Sequence, residues 1–451
     1  MKKIMKENLK YVFLFIFFFC CLQFFYANFS GDQIYNYGFS YAVSRGEIPY
    51  QDFNMIIPPT SAFIYAIPFI LFGPSLIIFN LFQALLLCIL LYFLFKLFGQ
   101  KAYLLLVCLV ITIPIPLPTN LFQGYNFLLL LELVILLYLE KNKGNDYLIG
   151  VVLGLVVFTK QTVGIALCLV SCYYLFKDCK KVVKRFIGFL VPCFVFLFYF
   201  LGTKTFISFL DMCLFGLFDF TNDNSGLSKV LGDFYFYIFL LELGILIYKI
   251  IKDKNNLMYY YILAYFFIAV PLFDYIHIAY LTFPFLFIFI DKIDLQVKAL
   301  SFNACLFVSL FSIVWFLFMY DFKKPYIVNY DNFEWYITSK DADEENKYLK
   351  KFLKKQPNTI ILAENTYFTK ISFNLDITHY DLLNRGNHGY NGTNKLIKRI
   401  DNESNKYILI NKKSYERQND RQQTNKEVME YVMLSCEKKG KLGDYEIYYK
   451  E

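Results

Sequence analysis

The chain has 451 residues, 57% of them hydrophobic and 21% aromatic, which excludes an ordinary soluble domain and predicts several runs of membrane-spanning length. Its formal net charge is +8, but the lysines gather beside the hydrophobic runs rather than on one basic face, which excludes a nucleic-acid partner. Eleven cysteines lie scattered, mostly within apolar runs, and there are only three histidines. The cysteines read as small buried apolar side chains, and no metal site is indicated.

Residues 1–10, MKKIMKENLK, precede an apolar run at 11–28. The pair looks like a signal peptide, yet no small-x-small cleavage site follows and the run is as long as a span, so it reads as an uncleaved first helix. Further apolar runs lie at about 75–97, 102–118, 122–140, 146–159, 162–177, 185–203, 232–250, 257–273, 277–291 and 299–320. The fold class is therefore a polytopic α-helical membrane protein of about eleven spans. Lysines and arginines fall on alternate connections: at the start, at Lys96 and Lys101, at Lys141 and Lys143, along 177–185, at 249–254 and at 291–298. The positive-inside rule makes that side cytoplasmic, together with the N-terminus. The stretch 28–74, the turn at 159–162, the segment 204–231 and everything after about 320 then lie outside.

The stretch 28–74 is unusual. It holds Asp32, Arg45, Glu47 and Asp52 with Gly46, Pro49, Pro58 and Pro59, and its many tyrosines and phenylalanines argue against disorder. A connection this long tends to be functional, so it is the first candidate site. Within it, residues 60–72 are apolar but too short to span and end at Gly73-Pro74, the pattern of a helix lying along the membrane surface. The segment 204–231, with Asp211 and Asp219 among aromatic residues, reads the same way.

Two short spans flank Thr159-Lys160-Gln161-Thr162, which places Lys160 at or below the outer surface. A charge there either snorkels along its own stem or faces a cavity or partner. A phosphate contact is the favoured reading. Glu132 and Glu242 lie inside spans and either pair within the bundle or do chemistry. Near the outer end of a later span, Asp274 and His277 are three residues apart and share a helix face, either as an interfacial polar pair or as a holder of a headgroup or sugar hydroxyl.

After about residue 320 the composition turns polar and strand-like and helix-like patterns alternate, which predicts an α/β domain at 321–451 outside the membrane, following a transmembrane part at 1–320. His388 falls in the turn-rich NRGNHGYNG and reads as a loop residue.

The order Asp32, then Tyr41 to Gly46, then Pro49-Tyr50-Gln51-Asp52-Phe53, then Pro58-Pro59 before an apolar helix resembles the first external loop of GT-C glycosyltransferases. More narrowly it resembles the bacterial branch related to protein O-mannosyltransferases and aminoarabinose transferases, the RgtA/B/C/D-like family. Phe158 to Thr162 is similar to that family's TK turn, and Asp274 to His277 followed by Pro284 is similar to its late D-x-x-H region. The resemblance covers about residues 10–320.

It implies transfer of a sugar from a polyprenyl-phosphate donor to a glycan, lipid or protein acceptor on the outer face, with inversion; no cofactor is indicated by the sequence. It also implies that an acidic residue early in the first loop is catalytic, a position held here by Asp32. The turn PLPTNLFQGYN lacks the second acidic residue of some relatives, so the resemblance does not extend to a two-carboxylate or metal-assisted variant. The residue chemistry agrees: an aspartate walled by aromatic residues serves as base, and Lys160 and Arg45 suit the leaving phosphate. Asp52 is placed to orient the acceptor or to pair with Arg45, and Tyr50, like Tyr35 and Tyr37, to stack on a sugar or simply pack.

Two other classes compete. A transporter or flippase calls for matching halves with broken helices, and no such repeat is visible. A polysaccharide polymerase or ligase shares the lipid-linked substrate but places its polar loop late in the chain.

Overall fold

The computed structural model describes residues 31–102, 104–105, 108, 124–173, 178–224, 231–232, 234–270, 273–290, 326–416 and 424–451. The first apolar run at 11–28, most of the one at 102–118 and the one at 299–320 lie outside them. Where the remaining apolar runs occur the chain is helical, as it must be wherever no water reaches the backbone. The helices are Leu76–Phe98, Tyr125–Lys141, Asp146–Thr159, Gln161–Ser171, Cys179–Gly202, Phe234–Lys252, Leu257–Tyr265 and Tyr275–Phe285. Among the described residues, Leu76–Phe98, Cys179–Gly202 and Phe234–Lys252 are long and apolar enough to cross a membrane, and several shorter apolar helices accompany them.

The chain groups into two units, each drawn from three separated stretches. One comprises 1–28, 77–197 and 227–324; the other comprises 29–76, 198–226 and 325–451. The contiguous division at 320/321 expected from sequence is not how the contacts group, because the stretch 29–76 touches residues of 198–226, such as Phe209, and residues nearly 300 positions away, such as Asn332.

In the first unit, Cys179–Gly202 begins six residues before the apolar run at 185–203, taking Lys180, Lys181 and Lys184 into its first turns. Lysine and arginine are good helix formers, so the boundary follows propensity rather than charge. Arg185, read from sequence as one more orientation charge, is instead buried. Its guanidinium donates to both oxygens of Glu140 (2.7 and 3.0 Å), to Asp146 (2.9 Å) and to Ser171 (3.0 Å). The Tyr261 hydroxyl completes the network by donating to Glu140 at 2.5 Å. With four hydrogen bonds and two carboxylates around it, a buried charge is tolerated that would otherwise cost several kcal/mol.

The helices Asp146–Thr159 and Cys179–Gly202 meet at backbone distance. A Cβ on Gly150 would sit 1.9 Å from the Arg185 carbonyl oxygen, and one on Gly188 would sit 2.0 Å from that of Tyr147. Gly154 is similarly pressed by Pro192 and Phe189. Small residues allow this approach where no hydrophobic effect drives helices together. Elsewhere in the unit, Glu132 accepts from Thr159 and Glu242 from Thr282, each at 2.8 Å.

In the second unit, residues 31–44 form a helix rather than an irregular loop, Gly31–Ser44, and nearly every described side chain in it is buried. It packs on helix Thr60–Phe72 and on the short helix Tyr367–Ser372. A Cβ on Gly38 would collide with the Tyr367 ring at 2.4 Å, so a glycine is needed at that crossing. Helix Thr60–Phe72 turns Tyr65, Ala66 and Phe69 inward and leaves Ile70, Leu71 and Phe72 more than 60% exposed.

The C-terminal stretch of the second unit carries a four-stranded sheet in the order Ile360–Leu362, Lys406–Asn411, Tyr445–Lys450, Glu437–Leu442. The first pair is parallel and the others antiparallel. Strand alternation sends Ile360, Leu362, Ile408 and Ile410 to one face, against Leu396, Ile400, Val428 and Val432 of two helices. Ile361 and Leu409 face the other way, against Leu349 and Leu353 of helix Lys340–Lys355. That helix is capped by Ser339, whose side chain accepts from the Ala342 amide, and it carries acids in its first turn and lysines in its last, as its dipole favours. The strand Glu437–Leu442 was not expected from a stretch as charged as EKKGKL; pairing along an edge, not burial, makes it a strand.

Gly188→Ala is expected to lower thermal stability in detergent through overpacking, a cost of about 1–3 kcal/mol. Gly244→Ala, where a Cβ meets nothing within 4 Å, is expected to leave stability unchanged or raise it slightly. Equal melting temperatures for wild type and Gly188→Ala would contradict the backbone contact.

Candidate active site

Lys160 is the single residue between two helices, ending Asp146–Thr159 and preceding Gln161–Ser171. Its backbone is extended (φ −151°, ψ 108°), which interrupts the helical path for one residue. The bend is tight because a Cβ on Gly164 would lie 2.4 Å from the Val157 Cα. The Lys160 ammonium donates to the Ile268 carbonyl at 2.8 Å and lies 5.6 Å from the centre of the Tyr125 ring, a cation–π distance.

Asp274 caps helix Tyr275–Phe285. Its Oδ1 accepts from the His277 backbone amide at 2.9 Å and pairs with the His277 ring Nδ1 at 2.8 Å. Burial alone would raise the Asp274 carboxyl, but His277 and the Lys160 charge outweigh it and hold the group below its ordinary range. Ionised Asp274 fixes the proton of His277 on Nδ1. The other ring nitrogen, Nε2, is then the acceptor, 3.4 Å from the Tyr125 hydroxyl. Lys160 and His277, more than 100 residues apart in sequence, thus meet at one tyrosine that sequence reasoning had not singled out, with Asp274 held behind His277. The Lys160 ammonium, a cationic donor set in an otherwise apolar helix cluster, suits an anionic group.

The remaining candidates belong to the other unit. Asp32 lies in the first turn of helix Gly31–Ser44, and its side chain lies outside the described residues. Arg45 follows the same helix. It donates to Asn374 (2.9 Å) and Asp376 (2.8 Å), approaches Glu47 at 3.7 Å and lies over the Tyr41 ring. The expected pairing of Arg45 with Asp52 does not form. Asp52 instead accepts from the Ile48 amide at 2.6 Å, closing its own turn, as a short carboxylate does when a backbone donor is nearer than any guanidinium.

Tyr50 packs within the unit. It adopts φ +70°, is 1% exposed, and sets its ring edgewise against Phe200 and Phe209. Its hydroxyl donates to the Ile57 carbonyl at 2.8 Å. Tyr37 is likewise buried, stacked on Phe333 and bonded to the Asn332 carbonyl.

Sequence reasoning also missed a buried pair of histidines. His379 donates through Nε2 to the Gln51 carbonyl at 2.7 Å, and the Asn54 amide nitrogen reaches both the His379 carbonyl (3.0 Å) and His388 Nδ1 (3.1 Å). Burial, then the nearby Arg399 charge, pushes His379 down to about 4; burial, then His379, pushes His388 down to about 3. An asparagine between Phe53 and Met55 was the one available signal for a buried polar contact.

Residues 56–274 match the sequence profile of glycosyltransferase family 87. No curated protein and no solved structure matches the chain. The match supports the resemblance to membrane glycosyltransferases. It includes Tyr125, Lys160 and Asp274, starts after Asp32, Arg45, Tyr50 and Asp52, and ends three residues before His277.

Glu47 provides a pH test of the second unit. Burial, then the Asp376 charge, raises its carboxyl from 4.5 to about 8, against the Ile377 amide and Arg45, which lower it. The folded chain therefore holds that proton more tightly than the unfolded one, and stability falls as pH rises from 4.5 to about 8, then levels off. Glu47→Gln is expected to flatten that decline in unfolding measurements across the same window; an unchanged slope would contradict it.

Proposed function

Proceeding from the match to glycosyltransferase family 87, we propose that this chain moves a sugar from a polyprenyl-phosphate-linked donor to an acceptor hydroxyl outside the cytoplasm, with inversion. The observation that carries the reading is the meeting of Lys160 and His277 at Tyr125, with Asp274 held behind His277, two of the three inside the matched segment.

In a single displacement, the acceptor oxygen attacks the anomeric carbon while the bond from that carbon to the phosphate oxygen breaks. The acceptor's proton passes to Asp32, and the electron pair leaves on polyprenyl phosphate. Lys160 stabilises the charge growing on the leaving phosphate, strongly so in partly dehydrated surroundings. His277, with Nδ1 held by Asp274, faces the same phosphate through Nε2 when protonated there. Arg45 is already engaged by Asp376, Asn374 and Glu47, so the phosphate role falls on Lys160.

The lysine alternation supports a multi-pass arrangement with the N-terminus cytoplasmic and residues after about 320 outside. Helix Thr60–Phe72 ends four residues before the candidate span Leu76–Phe98, and helix Phe206–Leu210 starts four residues after Cys179–Gly202. Their exposed Ile70, Phe72 and Ile207 fit the outer lipid surface, which would hold the donor's isoprenoid chain nearby.

The test is turnover of radiolabelled polyprenyl-phosphate sugars by purified protein, with a hydroxyl acceptor. Wild type is expected to release polyprenyl phosphate, and Asp32→Asn to lose about 10²- to 10⁴-fold in rate while remaining folded. A wild-type rate in Asp32→Asn would remove it as base.

A further inference from the structure

Glu132 lies in helix Tyr125–Lys141, seven residues after Tyr125 and hence two turns along the same face. Its Oε1 accepts from the Thr159 hydroxyl at 2.8 Å. Its Oε2 is buried and has no hydrogen-bond partner among the described residues, and the same holds for the Tyr265 hydroxyl. Tyr265 is fully buried and within electrostatic reach of Glu132. Buried polar atoms are nearly always paired, so two complementary orphans, an acceptor and a donor, mark a place where structure is held for a reason.

That place is defined by Lys160. Thr159, held by Glu132, immediately precedes Lys160 at the helix break. Tyr265 ends helix Leu257–Tyr265, and three residues later the Ile268 carbonyl receives the Lys160 ammonium. Glu132 therefore stands beside both anchors of one side chain, the bend that fixes its backbone and the segment that holds its charge. Tyr125, over which the ammonium lies, is on Glu132's own helix.

We infer that Glu132 is a positioning residue for Lys160, acting through the Thr159 hydroxyl that it holds at the helix break. Its functional weight rests on the reading of Lys160 as the donor-phosphate contact; the geometry does not.

Labelling with a small amine-reactive ester, read by peptide mass spectrometry on detergent-solubilised protein, tests it without any sugar donor. Wild type and Glu132→Gln, whose amide oxygen still accepts from Thr159, are expected to label Lys160 slowly and alike. Glu132→Leu and Thr159→Val each remove the hydrogen bond and are expected to label it about fivefold faster. Lys141, whose ammonium donates to the Leu97 carbonyl in the same unit, is the control and is expected not to change.

Unchanged Lys160 labelling in both variants would overturn the inference, as would Lys141 rising in step, which would mean general loosening. If Glu132→Leu does not fold, Thr159→Val decides alone. Because no donor is used, this failure is separable from failure of the transferase reading.

Discussion

A lysine set between two short apolar helices imposes much of what surrounds it. An ammonium within a membrane helix costs about 2.5–3.5 kcal/mol on insertion scales, and more if it is left unmatched. Here the ammonium has a carbonyl at 2.8 Å, an aromatic face and a carboxylate whose charge it helps keep ionised. Each partner is itself held: the Ile268 carbonyl by the short helix Phe266–Ala269, Tyr125 by a helix buried along most of its length, and Asp274 by capping the helix that carries His277. The cost of one charge thus ties together five helices, the two that meet at Lys160 and the three that carry its partners.

The second unit obeys a different constraint. Many of its polar side chains find partners far away in sequence. Arg45 reaches Asp376, Asn54 reaches His379 and His388, and Tyr41 reaches Asn374. On the remaining side, Asp211 pairs with Lys395 and Asp219 accepts from the Asn391 amide. Three stretches that look like a loop, a surface segment and a separate domain therefore fold together, because none buries its polar atoms alone.

How much of this could be read in advance follows from range. Apolar runs declare their helices because length and composition act locally, and the helices lie close to the runs in every described case. Lys160 and the Asp274–His277 pair stood out because charges are rare in such runs. The strands around Ile361 and Leu409 were readable as continuous apolar stretches buried on both faces. Helix Gly31–Ser44 was not, since its polar and aromatic mixture shows no clean period and is stabilised by contacts with Tyr367 and Asn332. Arg185 looked like a topology signal because sequence cannot reveal that Glu140 and Asp146 await it. The Arg45–Asp52 pairing was a guess from nearness in sequence, and a backbone amide won the carboxylate.

The role proposed for Lys160 and its neighbours is to receive the phosphate of a lipid-linked sugar. Mass spectrometry of lipids copurifying in mild detergent, wild type against Lys160→Ala, tests it most directly. The account predicts polyprenyl phosphate or its glycosylated form on the wild type and its depletion from the variant, with bulk phospholipid retained on both. Bulk phospholipid without any polyprenyl phosphate on the wild type, or equal amounts on both proteins, would contradict it.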